Sequence, residues 1–123
     1  MNRDFVVYVA GPFRGRNHWE QEQNIRRAET LALGVWLLGA TAICPHTNTW
    51  HFQGTLPDDA WLRGDLAMLA RCDAILMTRD WRKSVEATHE REFALQRGLP
   101  VFYSLADLQS HLSKPRNGKD KQK

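Results

Sequence analysis

The sequence predicts an α/β fold, a single doubly wound domain of the flavodoxin-like or Rossmann-like class with a parallel sheet of four to five strands. Short apolar runs rich in β-branched residues alternate with longer segments of helical periodicity along the chain. Because a helical segment separates successive runs, we expect right-handed crossovers between parallel strands. The runs are continuously apolar, which is typical of strands covered by helices on both faces.

The first half of the chain contains two predicted strands and one long helix. The run FVVYVA predicts a strand over 5–10, and a helix follows over about 17–38 with Gly39 as its stop. The run ATAIC predicts a second strand over 40–44. We expect the next segment, PHTNTWHFQGTLP, to be a loop because it lacks a regular apolar period.

The second half continues the alternation of helix and strand. Asp58 is a suitable N-cap for a helix that runs to about residue 71, and AILMT predicts a third strand over 74–78. Ser84 is the predicted N-cap of the next helix, which a Gly-Leu-Pro sequence ends. The run VFY predicts a fourth strand, and Ser104 begins the last helix.

The composition indicates one globular domain followed by a basic tail. The chain has 123 residues, of which 42% are hydrophobic and 25% charged, which is ordinary for a soluble protein. The last ten residues carry a net charge of +4, so the total of +3 leaves −1 for residues 1–113. We expect residues 1–113 to form the domain and 114–123 to be a disordered tail. A nucleic-acid-binding arm is the less favoured interpretation.

Two cysteines, Cys44 and Cys72, are too few for a disulfide framework. We interpret both as buried free thiols in a reducing compartment. No apolar stretch reaches the roughly 18 residues that span a bilayer, and the N-terminus does not resemble a secretory signal. We therefore expect a cytoplasmic protein with no membrane partner. Cys44 and His46 make a poor metal site, and we predict neither a metal nor a cofactor.

In this fold class, ligands bind beyond the carboxyl ends of the strands. The loop GPFRGR places Gly11, Arg14 and Gly15 between the first strand and its helix, which suits a polar or anionic ligand. A tight turn with solvated arginines explains these residues equally well. The segment PHTNTWHF offers His46 as a contact for a base or a sugar, although ordinary loop chemistry remains an alternative.

Glu90 is the residue that a purely structural interpretation explains least well. It lies between Phe93 and Ala94 on its predicted helix, where a carboxylate is costly unless it is paired or used. A structural ion pair with Arg14 or Arg97 is one interpretation. The other is catalysis, because two carboxyl groups, one nucleophile and one acid, are what cleavage of a glycosidic bond needs.

Tyr8 and Asp65 are candidates for assisting such a carboxylate. A tyrosine inside an apolar strand is usually part of the core, but near the carboxyl end of its strand the hydroxyl could orient a carboxylate. Asp65 precedes Leu69 by four residues and so lies on the same side of its helix. Asp65 is therefore either a surface acid or a second acid that converges on the cleft.

Four motifs cover most of the chain to about residue 103, in the order YVAGPFRGR, PHTNT, D...L..CDAILM and S..A..E..FA..RGLPV. Together they resemble the nucleoside 2-deoxyribosyltransferase-like superfamily. The resemblance is closest to its small uncharacterised members and to the branch that hydrolyses deoxynucleoside 5′-monophosphates. It implies that Glu90 is the nucleophile, that Tyr8 positions the Glu90 carboxylate, and that Asp65 handles the proton of the leaving base. The substrate-binding residues that we predict with it are Gly11, Phe13, Arg14, Gly15, His46, Trp81, Ser84 and Ala87.

The resemblance does not determine whether the substrate carries a 5′-phosphate or a free 5′-hydroxyl. Ser84 is typical of members that bind a 5′-monophosphate, whereas members that act on free nucleosides tend to have Asp at that position. Glu86 and Pro12 depart from the pattern of the phosphate-binding members. The transferases use a C-terminal Asn from a neighbouring subunit, but Asn117 lies in the predicted tail, so hydrolysis is favoured over transfer.

We therefore expect a hydrolase that cleaves the N-glycosidic bond of a (2′-deoxy)nucleoside 5′-monophosphate or nucleoside through a glutamyl glycosyl-enzyme. A deoxyribosyltransferase and a non-catalytic nucleotide sensor on the same fold are the alternatives. A DNA-binding protein that acts through its basic tail is a third. The resemblance also implies a homodimer or larger homo-oligomer, for which Trp36 and Trp61 are candidate interface residues.

Overall fold

A computed structural model of the chain describes residues 2–52 and 54–114. Within these ranges the chain forms four strands, five α-helices and two short 3-10 helices, the latter at Trp50–Phe52 and Trp81–Lys83. In chain order, the strands and α-helices are β1 (Val6–Ala10), α1 (His18–Leu37), β2 (Thr41–Ile43), α2 (Pro45–Thr49), α3 (Asp58–Leu69), β3 (Ala74–Met77), α4 (Val85–Gln96), β4 (Val101–Phe102) and α5 (Leu105–Ser113).

The four strands form one parallel sheet in the order β2-β1-β3-β4. This arrangement confirms the predicted fold class. In the centre of the sheet, Tyr8 of β1 is aligned with Ile43 of β2 and with Ile75 of β3. The chain passes from β1 to β2 on one side and then crosses to β3 on the other. The strand order therefore reverses between β1 and β3, which is where ligands bind in this class.

Successive side chains of β1 enter two different cores, as the continuous apolar run predicts. Tyr8 and Ala10 pack in a cluster that includes Leu69 of α3 and Ala94 of α4. Val7 points to the other face, in a cluster with Val35 of α1 and Leu108 of α5. Helices therefore cover both faces of the sheet.

The predicted starts and stops of most helices are confirmed. The side chains of Ser84 and Ser104 each accept a hydrogen bond from the N–H three residues later, and so cap α4 and α5. Gly39 and Gly98 have φ angles of 95° and 74° just after α1 and α4. Such positive φ values favour glycine at a helix C-terminus.

Two predictions about the segment between β2 and α3 are wrong. The segment predicted to be a loop begins with helix α2, because Pro45 occupies the first helical position, where its missing N–H costs nothing. The N-cap of α3 is Pro57, and Asp58 is the first helical residue rather than the cap. The Asp58 carboxylate instead forms an ion pair with Arg14, at 2.8 Å.

Three further predictions concern the cysteines, the basic tail and the lack of a membrane span. Both cysteines are free thiols; Cys72 is buried as expected, but Cys44 is only partly buried. Of the predicted basic tail, residues 115–123, with Asn117 among them, lie outside the described residues. None of the helices in the described ranges combines the length and apolarity that crossing a bilayer requires.

Candidate active site

A cleft of about 570 Å³, part of it open to solvent, lies beyond the carboxyl end of β1, between α2, which follows β2, and the start of α4, which follows β3. Its walls come from the loop after β1 and from helices α2, α3 and α4. Of the residues predicted from the sequence, those that line the cleft are Gly11, Phe13, Arg14, His46, Asp65, Ser84 and Glu90. The structure therefore brings together residues that are up to 79 positions apart in the chain.

Glu90 is buried, with 7% of its surface exposed, and its Oε2 accepts a hydrogen bond of 2.6 Å from the hydroxyl of Tyr8. Tyr8 is fully buried in β1, beneath the cleft rather than in its lining. Among the described residues, neither of the two ion pairs considered for Glu90 forms. Arg14 pairs with Asp58, and the Arg97 guanidinium lies over an aromatic ring. Glu90 is therefore held by a neutral donor, not by a cation.

Burial raises the pKa of Glu90 to about 8, and the negative charges of Asp65 and Glu86 act in the same direction, while the hydrogen bond from Tyr8 opposes the shift. Burial and the nearby Glu90 also raise the pKa of Tyr8 well above its ordinary value. The Tyr8 phenol therefore keeps its proton and remains a hydrogen-bond donor at neutral pH. A carboxyl group with so perturbed a pKa, in a cleft, is a candidate for a functional group.

Asp65 is the second carboxyl group of the cleft. It lies on α3, four residues before the fully buried Leu69, and it faces the cleft, so of the two alternatives considered for Asp65 the structure agrees with an acid that converges on the cleft. Burial raises the pKa of Asp65 to about 6. The charge of Asp65 contributes to the raised pKa of Glu90, so the two carboxyl groups interact.

The loop after β1 is held at two points, one at the end of β3 and the other on helix α2. A Cβ atom on Gly11 would clash with the side chain of Thr78, so a glycine is needed for the loop to lie against the end of β3. The Nε2 atom of His46 lies 2.8 Å from the Pro12 carbonyl oxygen, and the imidazole packs edge-on against the ring of Phe13. Burial lowers the pKa of His46, so its ring is neutral at pH 7.

Ser84 stands where α4 meets the cleft, and its Oγ accepts a hydrogen bond of 3.0 Å from the Ala87 N–H. Three other predicted substrate-binding residues do not line the cleft. Ala87 is fully buried. Gly15 packs against the side chain of Glu20. Trp81 is buried in the core cluster between β1, β3 and α4.

Trp61 is part of the site, although no sequence motif predicted that it would be. Trp61 lines the cleft from α3 and stacks on Phe52, with ring centroids 6.4 Å apart. Its Nε1 is buried and has no hydrogen-bond partner among the described residues. Trp61 precedes Asp65 by four residues, and this spacing, which places both on one helix face, was the signal that could have found it. The other lining residues not predicted to bind substrate are Pro45, Thr49, Asp58, Leu62 and Glu86.

The fold and the cleft define a doubly wound α/β protein that holds two interacting carboxyl groups at the point where its strand order reverses. In the described ranges, no group of three or more His, Cys, Asp or Glu side chains is placed to hold a metal ion. The chain belongs to the family described as Domain of unknown function (DUF4406), whose model matches residues 5–103. No curated protein matches the chain.

Proposed function

We propose that the chain is a hydrolase that cleaves the N-glycosidic bond of a (2′-deoxy)nucleoside or of its 5′-monophosphate. The observation that carries this proposal is the buried carboxyl group of Glu90, which is bonded to the Tyr8 hydroxyl and lines a cleft that also contains Asp65. A buried carboxyl group without a cationic partner is costly to ionise, and carboxyl groups with strongly raised pKa values in clefts are candidates for functional groups. The four sequence motifs that resemble the nucleoside 2-deoxyribosyltransferase-like superfamily support the same chemistry.

In the first step, ionised Glu90 attacks C1′ of the sugar while the bond from C1′ to the base nitrogen breaks. The carboxylate supplies the electron pair of the new C–O bond, and the electron pair of the broken bond leaves with the base. Because Glu90 has the higher pKa and holds the proton in the free cleft, this step requires that the proton first move to Asp65, which then gives it to the departing base. Tyr8 holds the Glu90 carboxylate through its hydroxyl and prevents the side chain from rotating away.

In the second step, water attacks C1′ of the glycosyl ester. Asp65, now ionised, takes a proton from the water, and the C–O bond to Glu90 breaks with its electron pair returning to the carboxylate. Free sugar, or sugar 5′-phosphate, leaves the cleft. The aromatic rings of Phe13 and Trp61, which line the cleft, offer a stacking surface for the planar base.

The proposal is tested by release of free base from the four 2′-deoxynucleosides and their 5′-monophosphates. Glu90→Ala removes the nucleophile, and we expect it to lower kcat by at least about 10³-fold. The matched control is Glu92→Ala, which removes an exposed carboxylate of the same helix and is expected to keep the wild-type rate. Equal rates for the wild type and Glu90→Ala would remove Glu90 from the mechanism.

A non-catalytic nucleotide sensor is a second candidate function, and the raised pKa of Glu90 favours it. With pKa values of about 8 for Glu90 and about 6 for Asp65, Glu90 is mostly protonated and Asp65 mostly ionised at neutral pH, which is the reverse of the states that a nucleophile and an acid need. A sensor would be stabilised against heat by a nucleoside or nucleotide without releasing base. A transferase, in contrast, would release base and pass the sugar to a second base added to the reaction.

We also propose, from the same resemblance, that the chain forms a homodimer. Trp36 on α1 is 43% exposed and remains a candidate for an interface, whereas Trp61 lines the cleft. The sedimentation coefficient of the purified chain distinguishes a monomer from a dimer.

A further inference from the structure

Glu86 gives the cleft a negative charge that the proposed mechanism does not use. It is the second residue of α4 and lines the same cleft as Glu90. A helix dipole stabilises a negative charge in the first turn of a helix. The Glu86 carboxylate therefore stands at the end of α4 where an anionic group of a ligand would otherwise be favoured.

The positive charge of the cleft is already paired. Among the lining residues that the structure describes, Arg14 is the one Lys or Arg, and its guanidinium lies 2.8 Å from the Asp58 carboxylate. His46 is neutral at pH 7 because burial lowers its pKa. The two proposed catalytic carboxyl groups add no positive charge in any state of protonation. With Arg14 and Asp58 cancelling, Glu86 leaves the cleft with a net negative charge.

The Ser84 hydroxyl does not compensate for this charge. Its oxygen already accepts the hydrogen bond from the Ala87 N–H, so Ser84 has one hydrogen to offer to a ligand. A phosphate monoester carries a charge of about −1.5 to −2 at pH 7. Such a group would gain one hydrogen bond from Ser84 and be repelled by Glu86, two residues away.

We propose that Glu86 is a specificity-determining residue, which makes the cleft select substrates with an uncharged 5′ end and reject 5′-monophosphates. This inference rests on the proposed function and narrows its substrate class to nucleosides. A free 5′-hydroxyl donates a hydrogen bond to a carboxylate, whereas a phosphate has acceptor oxygens and a charge of the same sign. The same carboxylate thus favours one substrate and disfavours the other.

The test compares kcat/KM for base release from each 2′-deoxynucleoside with that from its 5′-monophosphate. We expect the wild type to prefer the nucleosides. Glu86→Gln is expected to raise kcat/KM for the monophosphate relative to the nucleoside by about tenfold or more. Because Glu86 also raises the pKa of Glu90, the substitution changes the rates for both substrates, and the ratio removes this shared effect. Glu92→Gln, which removes an exposed charge from the same helix, is expected to leave the ratio unchanged.

A wild-type preference for the monophosphates, or a ratio that Glu86→Gln does not change, overturns the inference. Failure of the proposed function is seen separately, as the absence of base release from all eight compounds. In that case, the role of Glu86 is tested by calorimetry, which measures the binding of the same compounds to the wild type and to Glu86→Gln. Tighter binding of the monophosphates after the substitution supports the role of Glu86, and equal or undetectable binding overturns it.

Discussion

The buried carboxyl group of Glu90 makes the stability of the fold depend on pH. Its pKa in the folded chain is about 8, above the ordinary value of 4.5. Between these two values the folded state holds a proton that the unfolded state has lost. Stability therefore falls as the pH rises from about 4.5 to about 8, and this contribution is constant above that range. The direction is opposite to that of a salt-bridged carboxylate.

We expect Glu90→Gln to stabilise the fold at pH 8. The glutamine cannot ionise, and its carbonyl oxygen can still accept the hydrogen bond from Tyr8. The gain in the free energy of unfolding is expected to be roughly 2 to 4 kcal/mol at pH 8 and close to zero at pH 4.5. Urea unfolding at the two pH values measures it, with Glu92→Gln as the control that gains nothing. A loss of stability at pH 8 would contradict the raised pKa of Glu90.

Tyr8, Asp65 and Glu90 were predicted to act together from the family resemblance, whereas their positions in a strand and two helices left a core tyrosine and a surface aspartate as alternatives. The spacing of Asp65 and Leu69 places Asp65 on the inward face of α3, and the apolar neighbours of Glu90 place it on the inward face of α4. The pairing of Arg14 with Asp58 could not be predicted, because it depends on how the loop after β1 meets α3. Contacts between distant segments leave no periodic signal in the sequence.

At the scale of elements, the alternation of strands and helices was predictable because each long segment has a clear apolar period. Helix α2 was missed because it has five residues, too few for a period, and no side-chain cap at its start. The start of α3 was misassigned by one residue because an aspartate is favourable both as an N-cap and in the first turn. Sequence reasoning therefore locates long elements better than short ones or exact ends.

The packing of α1 against α5 depends on Gly34. A Cβ atom at this position would clash with the side chain of Leu105, so α5 lies closer to α1 than a larger residue would allow. We expect overpacking of about 1 to 3 kcal/mol to outweigh the gain of up to about 1 kcal/mol in helix propensity, so that Gly34→Ala destabilises the fold by up to about 2 kcal/mol. The matched control is Gly64→Ala in α3, where, apart from the adjoining residues and the backbone of the helix itself, no atom lies within 4 Å of the added Cβ. Alanine has the higher helix propensity, so this control should stabilise the fold by up to about 1 kcal/mol.

Urea unfolding of both variants measures the difference. Opposite signs for Gly34→Ala and Gly64→Ala would support the close approach of α1 and α5. If both substitutions stabilised the fold, then helix propensity alone would govern these positions, and the contact with Leu105 would have no energetic weight.

At the scale of the whole molecule, the charge is unevenly distributed along the chain. The last ten residues carry a net charge of +4, whereas residues 1–113 carry −1. The residues that line the cleft lie between Gly11 and Glu90, far from this end in sequence. The proposed chemistry therefore does not require the basic end, whereas a nucleic-acid-binding activity would.

We expect deletion of residues 114–123 to leave kcat/KM for base release unchanged within about twofold, because the deletion removes no residue of the cleft. If the basic end binds DNA, the full chain should bind with an affinity that falls steeply with salt, and the deletion should abolish this binding. Base-release kinetics and DNA binding at two salt concentrations measure both effects. Loss of base release in the shortened chain would contradict the proposed boundary of the catalytic domain.

The two faces of the sheet contribute differently to the proposed reaction. Tyr8 and the helices that carry Asp65 and Glu90 lie on one side, whereas Val7 and its neighbours on the other side, under α1 and α5, contribute packing alone to the proposed reaction. Natural or laboratory evolution can therefore rebuild the second side for heat tolerance, or for attachment to another molecule, provided that Asn24 of α1 is kept, because its side chain donates hydrogen bonds to the Phe13 and Arg14 carbonyl oxygens at the cleft. A mutational library in α5 and in α1, with Asn24 left unchanged, would be the economical place to begin.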